Sequence, residues 1–180
     1  MGEMAKWIVD PDHSVAAFSV RHMMIAHVRG QFNRITGTIL YDPEDLMNVS
    51  VEVNIEAASI VTGIQKRDDH LRSPDFLDTA KYPLITFKST RIEVLDGKHA
   101  RVTGDVAIQG INRRITLEAE FAGPVRDPLG DGVSMGFTAT TSINREDYGI
   151  TWNQPMEGDG IMVGREVLLF IDIEADSVSD

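Results

Sequence analysis

The sequence predicts an all-β fold: an eight-stranded antiparallel up-and-down barrel carrying a short helical insertion. Three observations lead there. Apolar and polar side chains alternate with period two in five segments, and three more, His13 to His22, Phe32 to Tyr41 and Leu84 to Val94, are less clean but strand-like, about eight strands in all. Short polar turns join most of these segments. The alternation is interrupted once, between Ile64 and Ala80, by a helical pattern. At 180 residues the chain fits a single domain spanning 1–180, with no linker, low-complexity tract or internal repeat beyond the strand rhythm.

His13 to His22 forms the first strand, built on Val15, Ala17, Phe18 and Val20. Two parities fit it: either Val15, Ala17, Ser19 and Arg21 face inward, or Ala16, Phe18, Val20 and His22 do. Phe32 to Tyr41 forms the second. In the third, Val49, Val51, Val53, Ile55 and Ala57 alternate with Ser50, Glu52, Asn54 and Glu56, giving one apolar and one wet face. Ile64 to Leu71 then reads as a short helix. Ser73-Pro74-Asp75-Phe76-Leu77 supplies an N-cap residue followed by proline, the start signal of another helical turn. Leu84 to Val94 resumes the strands, and Asp96-Gly97 marks a hairpin turn. Ala100, Val102, Gly104, Val106 and Ile108 alternate with polar neighbours up to a second turn at Gly110-Ile111-Asn112. Ile115, Leu117, Ala119 and Phe121 follow, and Gly123-Pro124 and Asp131-Gly132 bound a longer loop. Met135, Phe137, Ala139, Thr141 and Ile143 make the next row, and Val167, Leu169, Ile171 and Ile173 the last. Closing such a meander into a barrel removes its exposed edges. A barrel of this size holds either side chains alone or one small ligand. A two-sheet sandwich has the same periodicity and stays open as an alternative.

Composition excludes several function classes. Lys and Arg total 17 against 28 Asp and Glu, a net charge of -11, which argues against nucleic acid or an anionic membrane surface as the main partner, since both need a basic footprint. Without cysteine there is no disulfide or thiolate chemistry. No run is long and apolar enough to span a bilayer. The opening Met1-Gly2-Glu3-Met4 leads to Asp10-Pro11 without a basic and then apolar stretch, so the expected location is cytoplasmic. Phosphate-cradling loops and G-x-S-x-G elbows are absent. The histidines His13, His22, His27, His70 and His99 lack tight metal-ligand spacing, although His22 and His27 can meet across a bend, and no metal is expected. The densest polar cluster is Arg67, Asp68, Asp69, His70 and Arg72, where charge pattern alone favours a solvated helix face. Arg21 lies inside an apolar strand; pointing inward it needs an oxygen partner, for which Asp68 is a candidate.

One family resemblance spans nearly the whole chain. It runs through Trp7-x-x-Asp10-x-x-His13-Ser14-x-x-x-Phe18-x-Val20-x-His22-Met23, then Val28-x-Gly30-x-Phe32 and Ala58-Ser59-Ile60-x-Thr62. It is strongest in Arg67-Asp68-x-His70-Leu71-x-Ser73-x-Asp75-Phe76-Leu77-Asp78 with Tyr82-Pro83-x-Ile85-x-Phe87-x-Ser89, and closes with Gly104 to Gly110 and Asn144-Arg145-x-x-Tyr148-Gly149-Ile150-x-Trp152-Asn153. This pattern resembles the YceI-like, polyisoprenoid-binding proteins. The resemblance implies a lipocalin-like barrel that is not an enzyme, needs no cofactor, forms a homodimer and stores or carries a long-chain isoprenoid lipid such as a quinone precursor. It makes Phe18, Phe32, Phe87, Phe137 and Trp152 candidate tunnel-lining residues, and Arg21, Arg67, Asp68 and His70 candidate head-group ligands. Many family members carry a secretory leader, and the opening residues lead to the expectation that none is present here. Two rival readings are an enzyme acting on a prenyl lipid with His70 and Asp68 as acid–base pair, and an interaction module whose barrel is filled by side chains.

Overall fold

The β-branched and aromatic residues of the alternating segments fit a pleated surface buried on one side, and the chain uses them to close a barrel. A computed structural model describes residues 5–41 and 49–178, so the leader reading at Met1–Met4 lies outside the described residues. The strands are β1 (Ala5–Val9), β2 (Val15–His22), β3 (Ala26–Phe32), β4 (Ile35–Tyr41), β5 (Ser50–Glu56) and β6 (Ile60–Val61). A helix α1 (Gln65–Arg72) precedes β7 (Leu84–Val94), β8 (His99–Ile108), β9 (Ile111–Arg126), β10 (Val133–Asn144) and β11 (Val163–Ser177). All pairings are antiparallel, and β1–β11 contacts close the sheet.

Among the described residues eleven strands make eight staves, because the first three staves are each broken once. β1 and β2 lie along the same edge of β11, Val9 opposite Ala175 and Val15 opposite Asp172. Between them Asp10-Pro11 interrupts the ladder, since proline offers no N–H. β3 pairs with β2 and β4 with β1, so the second stave breaks at Asn33-Arg34. β5 and β6 continue the third stave on either side of a 3₁₀ turn at Ala57–Ser59. The breaks fasten to one another: Asn33 N–H donates to the Ser59 carbonyl at 3.3 Å and Arg34 N–H to Ser59 Oγ at 3.2 Å. Closure excludes the sandwich.

The structure corrects several local expectations. Two further short strands are added to the expected ones: β1, with Trp7 and Val9 buried, and β3, where Val28, Gly30 and Phe32 alternate with exposed His27, Arg29 and Gln31. The first stave faces inward with Ala16, Phe18, Val20 and His22, leaving Arg21 exposed. The β8–β9 turn is Gln109-Gly110, with φ of 52° and 75°, the left-handed pair of a tight hairpin. Gly123-Pro124 is no loop boundary but an extra residue's worth of bulge inside β9, where Ala122 and Val125 face Gly136 and Ser134. Ser73 ends α1 instead of starting a second helix: its Oγ donates to the His70 carbonyl at 2.7 Å, and residues 73–77 form turns.

The third and fourth staves pair only from Glu52–Glu56 to Leu84–Lys88. Residues 62–83, including α1, cover the gap beyond. One buried cluster (Trp7, Val9, Ile35, Ile39, Val53, Ile173) packs the end away from α1, and another (Ala57, Phe76, Ile85, Val106, Ile108, Tyr148) packs beneath it.

Candidate functional site

Inward-facing Ile115, Leu117, Ile143, Val167, Leu169 and Ile171 are only half-buried, which means that they face a space and not a packed centre. The space is a cavity of about 650 Å³ running through the barrel, walled almost wholly by aliphatic and aromatic side chains. It overturns the reading of a barrel filled by its own residues. Phe18, Phe32, Phe87, Phe137 and Trp152 all lie on its wall. Two of these rings need a glycine behind them. A Cβ on Gly30 would sit 2.5 Å from the Phe18 ring, and one on Gly104 would collide with Phe87.

The polar lining is sparse and mostly gathered at the α1 end, where Arg21, His22, Arg67 and His70 reach the cavity. Asp96 lines the opposite end. Arg67 is positioned by Thr62, donating Nε to Thr62 Oγ1 at 2.7 Å and Nη2 to the Thr62 carbonyl at 3.0 Å. Neither Arg21 nor Arg67 has a carboxylate within ion-pair distance among the described residues. Arg21 donates Nη1 to the Met24 carbonyl at 3.1 Å, so the expected Arg21–Asp68 partnership is not formed. The His70 ring stands edge-on to Trp152 and Phe76, with centroids 4.7 and 5.0 Å away, and its Nε2 is 2.8 Å from Asp75 Oδ2. Its carboxylate partner is therefore Asp75 and not Asp68, which removes the acid–base pair suggested by sequence.

Asp68 is buried and stands apart from the lining residues. Its Oδ1 accepts the Thr62 N–H at 2.8 Å and the Thr62 hydroxyl. A carboxylate early in a helix thus folds back onto the strand end preceding that helix and satisfies its free donor. Thr62 in turn accepts from Arg67, giving a chain Asp68–Thr62–Arg67 from buried anion to cavity rim.

Arg145 is the residue to which the sequence assigned no part. It is buried, with its guanidinium donating to four carbonyls: Ile150 at 2.7 Å, Gly164 at 2.8 Å, Trp152 at 3.0 Å and Val163 at 3.1 Å. Desolvation lowers its pKa from the usual arginine value, but the carbonyl cage gives its N–H groups the partners a buried cation needs. It ties the 145–164 segment, and with it Trp152, across the mouth. Burial also pushes the neighbouring Tyr148 phenol up to about 12, keeping it neutral. The signal was the Asn144–Asn153 motif itself, whose spacing has no meaning until the loop closes around Arg145.

His22 faces the cavity while His27, opposite Arg21, is exposed on the other face, so the two do not meet. Among the described residues one His/Asp/Glu trio, Asp10, His13 and Glu174, brings ligand atoms within 4.8 Å of one another. It consists of a surface His13–Asp10 ion pair at 2.7 Å, remote from the polar end of the cavity. No helix among the described residues is long and apolar enough to cross a membrane.

Residues 7–175 match the family described as YceI-like domain. A Staphylococcus aureus protein of the UPF0312 group is 33% identical over 164 residues, covering 91% of this chain and 93% of its own. The crystal structure of a Campylobacter jejuni YCEI protein superposes with a TM-score of 0.74 at 29% identity, covering 88% of this chain and 90% of that one. A structure described as a polyisoprenoid binding domain from Saccharophagus degradans shares the fold, with a TM-score of 0.71 at 14% identity over 98% of this chain and all (100%) of that one.

Proposed function

From the premise that the chain belongs to the YceI-like domain family, we propose that its barrel binds a long-chain isoprenoid lipid for storage or transport. The apolar tail lies in the cavity and the polar head at Arg21, Arg67 and His70. The observation that carries this is a continuous apolar cavity of about 650 Å³ with two arginines free of carboxylate partners at one end. The related fold described as a polyisoprenoid binding domain supports the same ligand class. Asp68 serves the head group indirectly, by fixing Thr62 and through it Arg67.

The energetics suffice for tight binding. Liquid water takes about 30 Å³ per molecule, so the cavity has room for roughly twenty carbon-sized groups. At about 0.8 kcal/mol per buried methylene, that tail supplies roughly 16 kcal/mol before the cost of ordering it. A longer chain extends out of the mouth past Trp152. No cofactor enters this mechanism, and the His70–Asp75 pair orients an imidazole toward a head-group oxygen. The same reading carries a homodimer, which sedimentation equilibrium measures directly.

Native mass spectrometry with solvent extraction is the test. The purified protein is expected to release a prenyl lipid, or to take one up with a change in Trp152 fluorescence. Ala139→Trp, which fills the lumen from β10, is expected to abolish uptake while leaving a cooperative thermal transition. A protein that neither carries nor takes up prenyl chains, or an Ala139→Trp variant that binds them unchanged, refutes the proposal.

A further inference from the structure

The β2–β3 hairpin is an anomaly in both its charge and its tip. From His13 to Tyr41 there is no Asp or Glu, although the chain as a whole carries a net charge of -11. The cations in this stretch are Arg21, Arg29 and Arg34, with His13, His22 and His27. Arg34 pairs with Glu56, whereas Arg21 and Arg29 have no ion pair among the described residues. Arg21 and His27 face each other across the hairpin on its outer side.

The tip that these cations flank is Met23-Met24-Ile25, exposed by 37%, 49% and 82%. Met23 and Met24 adopt φ of 49° and 62°, a region where Asn or Gly is ordinarily used. A polar turn would relieve the backbone and the solvation penalty together. Holding three large apolar side chains there against both preferences points to a surface that receives them. Ile64, immediately before α1, is also exposed, and Thr62 packs beside Gly30, so this chain runs back along β3 toward the same tip. His22 and Val28, at the base of the tip, line the cavity whose mouth holds Arg67 and His70.

We propose that the β2–β3 tip docks the cavity mouth onto an anionic phospholipid surface, the apolar tip entering the acyl boundary and Arg21 and Arg29 meeting lipid phosphates. Apolar side chains ringed by cations are the chemistry of interfacial binding. The acidic remainder of the barrel is repelled by the same surface, which orients the molecule with its mouth toward the lipid. The purpose of this contact, passing a lipid between bilayer and cavity, rests on the function proposed above; Met23, Met24, Ile25 and Arg29 belong to the docking alone, and Arg21 stands between the two sites.

The test is co-sedimentation of the full chain with vesicles of mixed phosphatidylcholine and phosphatidylglycerol, against phosphatidylcholine alone. Binding is expected to the mixed vesicles, weaker to the neutral ones, and reduced by about tenfold or more in Met24→Glu/Ile25→Glu. Arg29→Gln is expected to lower the preference for the anionic vesicles and its salt dependence. Both variants lie on exposed positions, and unchanged thermal unfolding verifies their fold. Wild-type protein that ignores the mixed vesicles, or a tip variant that binds them equally well, overturns the docking. So does a tip variant that changes oligomeric state in sedimentation, since the tip is then covered by a second copy. Native mass spectrometry of the tip variant separates the two proposals: prenyl lipid retained with vesicle binding lost leaves the cargo reading intact.

Discussion

Replacing Asp68 by alanine is expected to unfasten α1 from the end of β6. Asp68 is 5% exposed, and its Oδ1 is the acceptor for both the N–H and the hydroxyl of Thr62. A hydrogen bond to a charged group contributes about 1.5–3 kcal/mol, and two that share one acceptor are not additive, so a loss of about 3 kcal/mol is expected. At this chain length that lowers Tm by about 6–12 °C. Asp68→Asn keeps an acceptor in place and is expected to cost about 1 kcal/mol. The assay is urea unfolding followed by circular dichroism, comparing midpoints at constant slope. Alanine and asparagine variants equal in stability would refute the anchoring argument. Prenyl-lipid retention measured on the same samples distinguishes a further case: retention lost in Asp68→Asn without a stability change means that the carboxylate touches the head group itself.

Other outcomes follow from the same structure. Arg145→Met leaves four carbonyls without their donor and is expected to destabilise by about 3–5 kcal/mol, with Arg145→Lys recovering only part because an ammonium lacks the planar fork; thermal unfolding measures both. Gly104→Ala collides with the Phe87 ring and, at 2.6 Å, with the Lys88 carbonyl, so both the ring and the β7–β8 ladder must shift; it is expected to cost about 1–3 kcal/mol while reducing prenyl uptake, read by urea unfolding and mass spectrometry. His13 is held above the ordinary histidine pKa chiefly by its hydrogen bond to Asp10, and Asp10 is held below the ordinary carboxylate value chiefly by the same bond. The His13 contribution is therefore complete below the ordinary histidine pKa and lost as pH rises through the raised value. The Asp10 contribution is complete above the ordinary aspartate pKa and lost as pH falls through the lowered one. NMR titration of His13 is expected to show a raised midpoint that falls in Asp10→Asn, with Glu174 and Asp12 still acting to raise it.

Much of this molecule was legible in one dimension. Period-two alternation is a local consequence of the pleat, so Val49 to Ala57, Leu84 to Val94 and the rows from Ala100 to Ile173 reveal their strands without any neighbour. The interruption at Ile64 to Ala80 likewise marked the end of the barrel where the polar residues gather. β1 and β3 were missed for different reasons: Ala5–Val9 is too short to establish a period, whereas Ala26, Val28, Gly30 and Phe32 do alternate with His27, Arg29 and Gln31, a signal weakened because glycine and alanine carry little apolar surface. Side-chain partners were equally beyond reach. The rival enzyme reading coupled Asp68 to His70, whereas the imidazole pairs with Asp75 on the turn that follows and Asp68 turns back to Thr62. Alternation also determines that Leu117 or Leu169 points inward but not what stands opposite. Whether the centre is packed or hollow depends on the closure of all eight staves and the summed size of the side chains meeting across it. Local alternation therefore reveals most of the staves and the interruption reveals the polar end, whereas the cavity exists only once the staves close on one another.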